Sequence, residues 1–264
     1  MRRITKVAVL GSGVMGTGIA AHFANVGLEV LMLDIVPREL PEGQENDPAV
    51  RNSIGNAALK SALKAKPAPF YDNDFAKRIT VGNFTDDMAK IKDYDWIIEV
   101  VVERLDIKKS IFKQVDEHRR EGSLVTSNTS SIPIHLMEEG RSKDFKKNFC
   151  GTHFFNPVRY MKLLEIIPTD NTGGEVVDFL MHYGDVYLGK QTVLCKDTPA
   201  FIANRIGVYS GSKLMSLTDQ YEMSIEEVDA LTGPAIARPR TGTFRLNDLV
   251  GLDTNAKVAK FVMD

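Results

Sequence analysis

Residues 6–34 read KVAVLGSGVMGTGIAAHFANVGLEVLMLD, and this stretch decides the fold. An aliphatic run of strand length leads into a glycine turn, an amphipathic helical pattern follows, and a second aliphatic run ends in Asp34. Strand, turn, helix and strand within about thirty residues form the unit that binds a dinucleotide. Gly11 permits the tight turn, Gly13 lets backbone approach a pyrophosphate, and Gly16 lets the helix pack closely on the strand. Val14 and Met15 open the helix, where N-terminal amides attract negative charge. Asp34 is placed to accept ribose hydroxyls. An acid there disfavours a 2′-phosphate, and Ile35-Val36-Pro37 brings no immediate arginine, although Arg38 is close, so NAD is expected over NADP.

Aliphatic runs recur outward from this unit at 29–33, 79–83, 96–102, 123–127, 149–153, 163–167 and 191–195, mostly separated by helical patterns. That alternation predicts an α/β fold of Rossmann type, with a doubly wound, largely parallel sheet over residues 1–196. Residues 37–74 interrupt it. There a polar loop and the basic segment VRNSIGNAALKSALKAK (50–66), flanked by prolines, predict an inserted helical hairpin. From DTPAFIANRIG onward the pattern is helical throughout, which predicts a smaller all-helical domain over 197–264. Thr198 reads as a cap and Pro199 as the first helical position of a helix running to about residue 220. Ser224 with Glu227 reads as a capping box, and TNAKVAKFVMD (254–264) as a further helix. No stop signal follows that last pattern, so the helical domain is expected to be incomplete at its C-terminal end.

At 264 residues and 43% hydrophobic content, the chain has ample material for a packed core. A net charge of −2 gives no global attraction to nucleic acid or to an anionic membrane. The two cysteines, Cys150 and Cys195, are too far apart for a CxxC site, so neither a disulfide nor a metal site is expected. No run reaches the length of a membrane span, and the arginines at the start precede no signal-peptide pattern, so a cytoplasmic protein is expected.

The run GTHFFNPVRYMKLLEII (151–167) carries the chemistry. Glu165 sits within an aliphatic strand pattern, where an unpaired carboxylate is costly. Asn156-Pro157 is a turn signal that folds this strand back toward the one bearing His153, which makes the two a candidate base and orienting acid.

GSGVMGTGIA, SNTSS, GTHFFNPVRYMKLLEII and KDTPAFIANRI occur in that order, and together they resemble the 3-hydroxyacyl-CoA dehydrogenase family over nearly the whole chain. KPAP, EGRSKDFK and TGPAIARPRTGTFRLNDLVGLDT resemble the dehydrogenase part of bacterial multifunctional fatty-acid oxidation proteins, which implies a following enoyl-CoA hydratase region. The resemblance implies an enzyme that oxidises an L-3-hydroxyacyl-CoA with NAD and that dimerises through its helical domain. It makes His153 the general base and Glu165 its orienting partner. Ser130 becomes a substrate-binding serine, with a helix cap before Pro133 as its structural alternative. Asn204 becomes a catalytic amide, read as mid-helix. Glu103, Lys108 and Asn156 join the cofactor site, and Lys60, Lys64 and Lys66 form a basic patch for the CoA phosphates, the first two on one helix face. One departure stands out: where family members carry GPFEL, this chain has TGTFRL, without that glutamate. Two other readings fit parts of the pattern, a β-hydroxyacid dehydrogenase with a non-CoA substrate and a catalytically silent dinucleotide-binding protein.

Overall fold

The computed structural model describes residues 2–252 and residue 256. They form two compact units divided between Asp197 and Thr198. The first is an eight-stranded sheet of β1 (Lys6–Leu10), β2 (Glu29–Asp34), β3 (Ile79–Asn83), β4 (Trp96–Glu99), β5 (Leu124–Ser127), β6 (Phe149–Phe154), β7 (Leu163–Pro168) and β8 (Gln191–Leu194). Their order is β3-β2-β1-β4-β5-β6-β7-β8. The first six strands run parallel, β7 pairs antiparallel with β6, and β8 runs parallel to β7. The doubly wound, largely parallel sheet expected from the aliphatic runs is therefore the one observed.

Helices connect the strands: α1 (Val14–Asn25), α2 (Pro48–Arg51), α3 (Ser53–Ala62), α4 (Phe84–Asp87), α5 (Leu105–His118), α6 (Ile134–Met137), α7 (Lys143–Lys147) and α8 (Gly174–Val186). Side chains alternate across each strand, so the sheet buries both faces. On one face Phe23, Trp96 and Tyr183 meet edge-on; on the other Phe112, Phe145 and Phe149 cluster. Fully buried Val7, Val9 and Ile98 carry the core through the centre of the sheet. A parallel sheet of this order changes direction at β1, and the loops at the carboxyl ends of β1 and β4 open the crevice where such folds bind ligands.

The inserted segment differs from the expected hairpin. Its α-helical part is α2 followed directly by α3, with Asn52 as the joint, and a short 3-10 turn comes only at Asn73–Arg78. Helix α3 stops at Ala62 because Pro67, four residues past Leu63, would clash with the Leu63 carbonyl if the helix continued. Lys64 thus lies in a turn, its N–H donating to the Ser61 carbonyl (3.0 Å), and it does not share a helix face with Lys60.

The second unit holds α9 (Ala203–Gln220), α10 (Ile225–Thr232) and α11 (Phe244–Val250). Thr198 and Pro199 do not start α9. Ala200 and Phe201 turn in the left-handed region (φ 61° and 51°) and bury their side chains first, so the helix begins at Ala203. Burial of Phe201 offsets a backbone cost of roughly 1–2 kcal/mol per left-handed residue. The capping box is present, with Ser224 Oγ accepting from Glu227 N and Glu227 accepting from Ser224 N. The helix expected over 254–264 falls, apart from residue 256, outside the described residues. No helix among the described residues is long and apolar enough to cross a membrane.

Candidate active site

The antiparallel pairing of β6 with β7 sets His153 directly opposite Glu165. The two are buried, and His153 Nδ1 lies 2.7 Å from Glu165 Oε2. On the other edge of the ring, Nε2 lies 3.1 Å from Ser130 Oγ, which projects from the loop after β5. A carboxylate at Nδ1 fixes the tautomer with its proton on that nitrogen, leaving Nε2 as the acceptor. Ser130 does not cap α6. That task falls to Asp197, whose carboxylate accepts from the N–H groups of Ile134 (2.7 Å) and His135 (2.9 Å).

A second network holds the Ser130 loop. Glu103 Oε1 accepts from Thr129 Oγ1 (2.5 Å), Ser130 N (3.0 Å), Ser131 N (3.1 Å) and Ser131 Oγ (2.9 Å). Its other oxygen is 3.2 Å from Lys108 Nζ, which also donates to Glu99 Oε1 (2.7 Å). Burial alone would raise the Glu103 carboxyl, but the Lys108 ammonium and the Thr129 and Ser131 hydroxyls more than offset it and hold it below the usual range. Glu99 is fully buried at the end of β4 and accepts further from Val101 N (2.7 Å) and Ser127 Oγ (2.5 Å). Sequence reasoning missed Glu99, although its signal matched that of Glu165: a carboxylate inside an aliphatic strand, WIIE. Glu103 and Lys108, the residues expected at the cofactor, are also tied by this network to the Ser130 loop.

The glycine turn passes a direct test for a dinucleotide. A Cβ at Gly11 would lie 2.6 Å from the Val100 carbonyl oxygen, and one at Gly16 would lie 2.0 Å from that of Gly11. At Gly13 nothing lies within 4 Å, so backbone faces open space at the start of α1. The φ of Gly11 is +115°, which a side chain rarely adopts. Val14 is exposed at the helix start, whereas Met15 is half-buried against the core. Asp34 caps the turn: Oδ2 accepts from Ser12 N (2.6 Å) and Ser12 Oγ (2.5 Å), and Oδ1 from Ile35 N (2.7 Å).

A cavity of about 470 Å³ joins this turn to the His153 loop; Gly13 and Val14 line one side, Asn156 and Pro157 another, and Ser61 and Lys66 of the inserted segment a third. Lys60 is exposed on α3 and is not part of that lining. Asn204 sits in the first turn of α9, in the other unit, and not mid-helix, so its low helix propensity carries little weight there.

Residues 6–198 match the model of the 3-hydroxyacyl-CoA dehydrogenase NAD binding domain, and residues 201–264 that of the 3-hydroxyacyl-CoA dehydrogenase C-terminal domain. The chain belongs to the 3-hydroxyacyl-CoA dehydrogenase family. It is 52% identical to a probable 3-hydroxyacyl-CoA dehydrogenase of Bacillus subtilis over its whole length, but spans only 34% of that protein. It is 47% identical to a probable 3-hydroxyacyl-CoA dehydrogenase of Deinococcus radiodurans, covering 97% of this chain and 72% of the relative. Among solved structures, the (S)-3-hydroxybutyryl-CoA dehydrogenase of Ralstonia eutropha superposes with a TM-score of 0.80 at 30% identity, covering 98% of this chain and 87% of that one. NAD is thus the cofactor of the first unit, in keeping with the glycine turn and Asp34.

Proposed function

We propose that this protein oxidises (S)-3-hydroxyacyl-CoA to 3-ketoacyl-CoA in fatty-acid β-oxidation. One observation carries the reading: an imidazole tied at Nδ1 to a buried carboxylate presents Nε2 beside a serine hydroxyl. The loop that follows this histidine shares a cavity with the glycine turn. NAD, when bound, supplies the acceptor for the hydride leaving C3. His153 Nε2 takes the proton of the 3-hydroxyl as that oxygen becomes a carbonyl, and Glu165 stabilises the imidazolium formed. Ser130 holds the substrate oxygen against Nε2, and once Nε2 is protonated its hydroxyl is available to donate to the new keto oxygen. Glu99, Lys108 and Glu103 keep that serine in place. Gly13, Val14 and the Asp34–Ser12 turn hold the dinucleotide, with Asn156 at the edge shared with the substrate.

Asn204 is assigned an amide contact to the substrate from the helical unit, and Lys66, with Lys60 and Lys64 farther out, the CoA phosphates. The exposed Ile206, Tyr209 and Leu249 of the helical unit suit a homodimer interface. The two buried cysteines, Cys150 and Cys195, fit a reducing, cytoplasmic setting. The length of the Bacillus subtilis relative fits a larger protein in which this dehydrogenase accompanies a further activity such as enoyl-CoA hydration.

The test is NADH formation from NAD and (S)-3-hydroxybutyryl-CoA, compared with His153→Gln. Loss of a general base lowers kcat by about 10²-fold or more, with NAD affinity little changed. Absence of turnover by the unaltered protein, or full turnover by the variant, rejects the proposal.

A further inference from the structure

The segment 66–71, KPAPFY, has no regular structure of its own, yet it forms one wall of the cavity beside the glycine turn through Lys66, Pro67 and Pro69. Its backbone carbonyls are taken up by side chains from elsewhere. Asn25, the last residue of α1, donates from Nδ2 to the Pro69 carbonyl (2.9 Å) and accepts from Tyr71 N (2.9 Å). From the opposite side, Arg159 Nη1 donates to the carbonyls of Ala68 (2.8 Å) and Phe70 (2.7 Å). Tyr160 Oη adds a bond to the Ala68 carbonyl (3.1 Å), and the guanidinium lies over the Tyr71 ring, 4.5 Å from its centroid. Arg159 forms no ion pair with a carboxylate among the described residues, so these carbonyls and rings are what hold it.

Arg159 belongs to the turn that follows His153 and carries Asn156 and Pro157. This turn is fixed from within by Lys190, whose buried ammonium donates to the carbonyls of Val158 and Met161 (2.9 Å for the latter). It is therefore a firm base, and Arg159 transmits that firmness to a segment that lacks secondary structure.

We infer that Arg159 is a positioning residue for the acyl-CoA: it fastens the inserted segment to the catalytic turn and so makes segment 66–71 a wall of the substrate cavity. The inference rests on the dehydrogenase reading above. Chemistry favours the thioester's long arm as the occupant of the side walled by the inserted segment, across the cavity from Gly13 and Val14, which are assigned to the dinucleotide. The wall is mainly apolar carbon from Ala58, Ala62, Ala65 and the prolines, which matches an uncharged, slender chain, and Lys66 stands at the wall for a phosphate. Asp34, which reads the dinucleotide ribose, is not part of the lining.

The experiment compares the unaltered protein with Arg159→Met, which keeps an apolar stem and removes every donor, and with the milder Tyr160→Phe. Steady-state kinetics are run with (S)-3-hydroxybutyryl-CoA and NAD, and hydrogen exchange is followed over residues 64–72 in the ligand-free protein. Arg159→Met should raise KM for the acyl-CoA about 10-fold, the scale of losing charge-assisted bonds, with kcat, its pH profile and KM for NAD unchanged. Exchange over 64–72 should rise. Tyr160→Phe should change the same two readouts in the same direction by about twofold, and it decides the matter if Arg159→Met does not fold. An unchanged KM for acyl-CoA, a shift in KM for NAD instead, or unchanged exchange overturns the inference. If the unaltered protein consumes no acyl-CoA, the dehydrogenase reading is what fails, and exchange still reports on the clamp.

Discussion

Replacing Glu165 by glutamine removes a charge while keeping shape, and the structure sets the size of the effect. In the ground state the imidazole is neutral, and an amide oxygen accepts from Nδ1–H almost as well as a carboxylate. As Nε2 takes the substrate proton, the ring becomes a cation facing Glu165 Oε2 across 2.7 Å. At an effective dielectric of about 20 that attraction has a ceiling of roughly 6 kcal/mol. The floor is the difference between a charge-assisted and a neutral hydrogen bond, about 1 kcal/mol. Both side chains are buried, so solvent screens little of it, and a loss midway between these limits, about 3 kcal/mol, corresponds to roughly 10²-fold in kcat. The assay is initial-rate NADH formation at saturating substrate, with NAD affinity measured by titration and folding checked by a thermal midpoint. KM for the acyl-CoA should stay within about threefold, because the interaction lost belongs to the transition state. A folded, NAD-binding Glu165→Gln protein whose kcat stays within about threefold of the original would refute the claim that this carboxylate shares the charge.

Gly16→Ala places a methyl 2.0 Å from the Gly11 carbonyl oxygen and should cost about 3 kcal/mol or more in urea unfolding while abolishing NAD binding. Gly13→Ala meets nothing within 4 Å, so it should cost under about 1 kcal/mol yet still weaken NAD binding; equal effects of the two would count against the cradle. Glu99→Gln strips the Lys108 ammonium of its buried partner and should cost about 3 kcal/mol, with a fall in kcat as the Ser130 loop loosens. Adding Lys108→Met should recover part of that stability, because it removes the ammonium left without its Glu99 partner while Glu103 keeps its bonds from Thr129, Ser130 and Ser131; no recovery in urea unfolding speaks against the pairing. Burial, helped by Lys190, pulls the His22 imidazole down to about 4 from its usual 6.5. The unfolded chain therefore binds a proton that the folded one refuses, and stability should fall by about 3 kcal/mol as pH drops from 6.5 to 4, a loss that denaturant titrations should find absent in His22→Gln.

The strands were legible because each is an aliphatic run bounded by turn residues, and burial on both faces of a parallel sheet demands such runs. The pairing of His153 with Glu165 was legible for a related reason: a carboxylate within LLEII needs a partner, and Asn156-Pro157 supplied the turn that brings one. The same logic applied to WIIE would have flagged Glu99, but its partner Lys108 lies nine residues on, across a loop, in a helix whose surface charges look alike in sequence. What decides between a solvated lysine and a buried one is the tertiary position of the helix face, which periodicity does not report. The start of α9 was misplaced for a different cause, since local capping preference yielded to the burial of Ala200 and Phe201.

Arg159 illustrates the limit most sharply. In NPVRYM it reads as a surface charge in a turn, and nothing in its neighbourhood along the chain announces carbonyls 89 and 91 residues away. Those carbonyls are in want of donors only because the prolines at 67 and 69 deny the segment a helix, and that denial is visible in the sequence. A proline-bounded segment between a helix and a strand thus signals that donors must come from elsewhere, but not which ones. The chemistry of the site is written in local strings, whereas the parts that hold those strings in place come from long-range contacts.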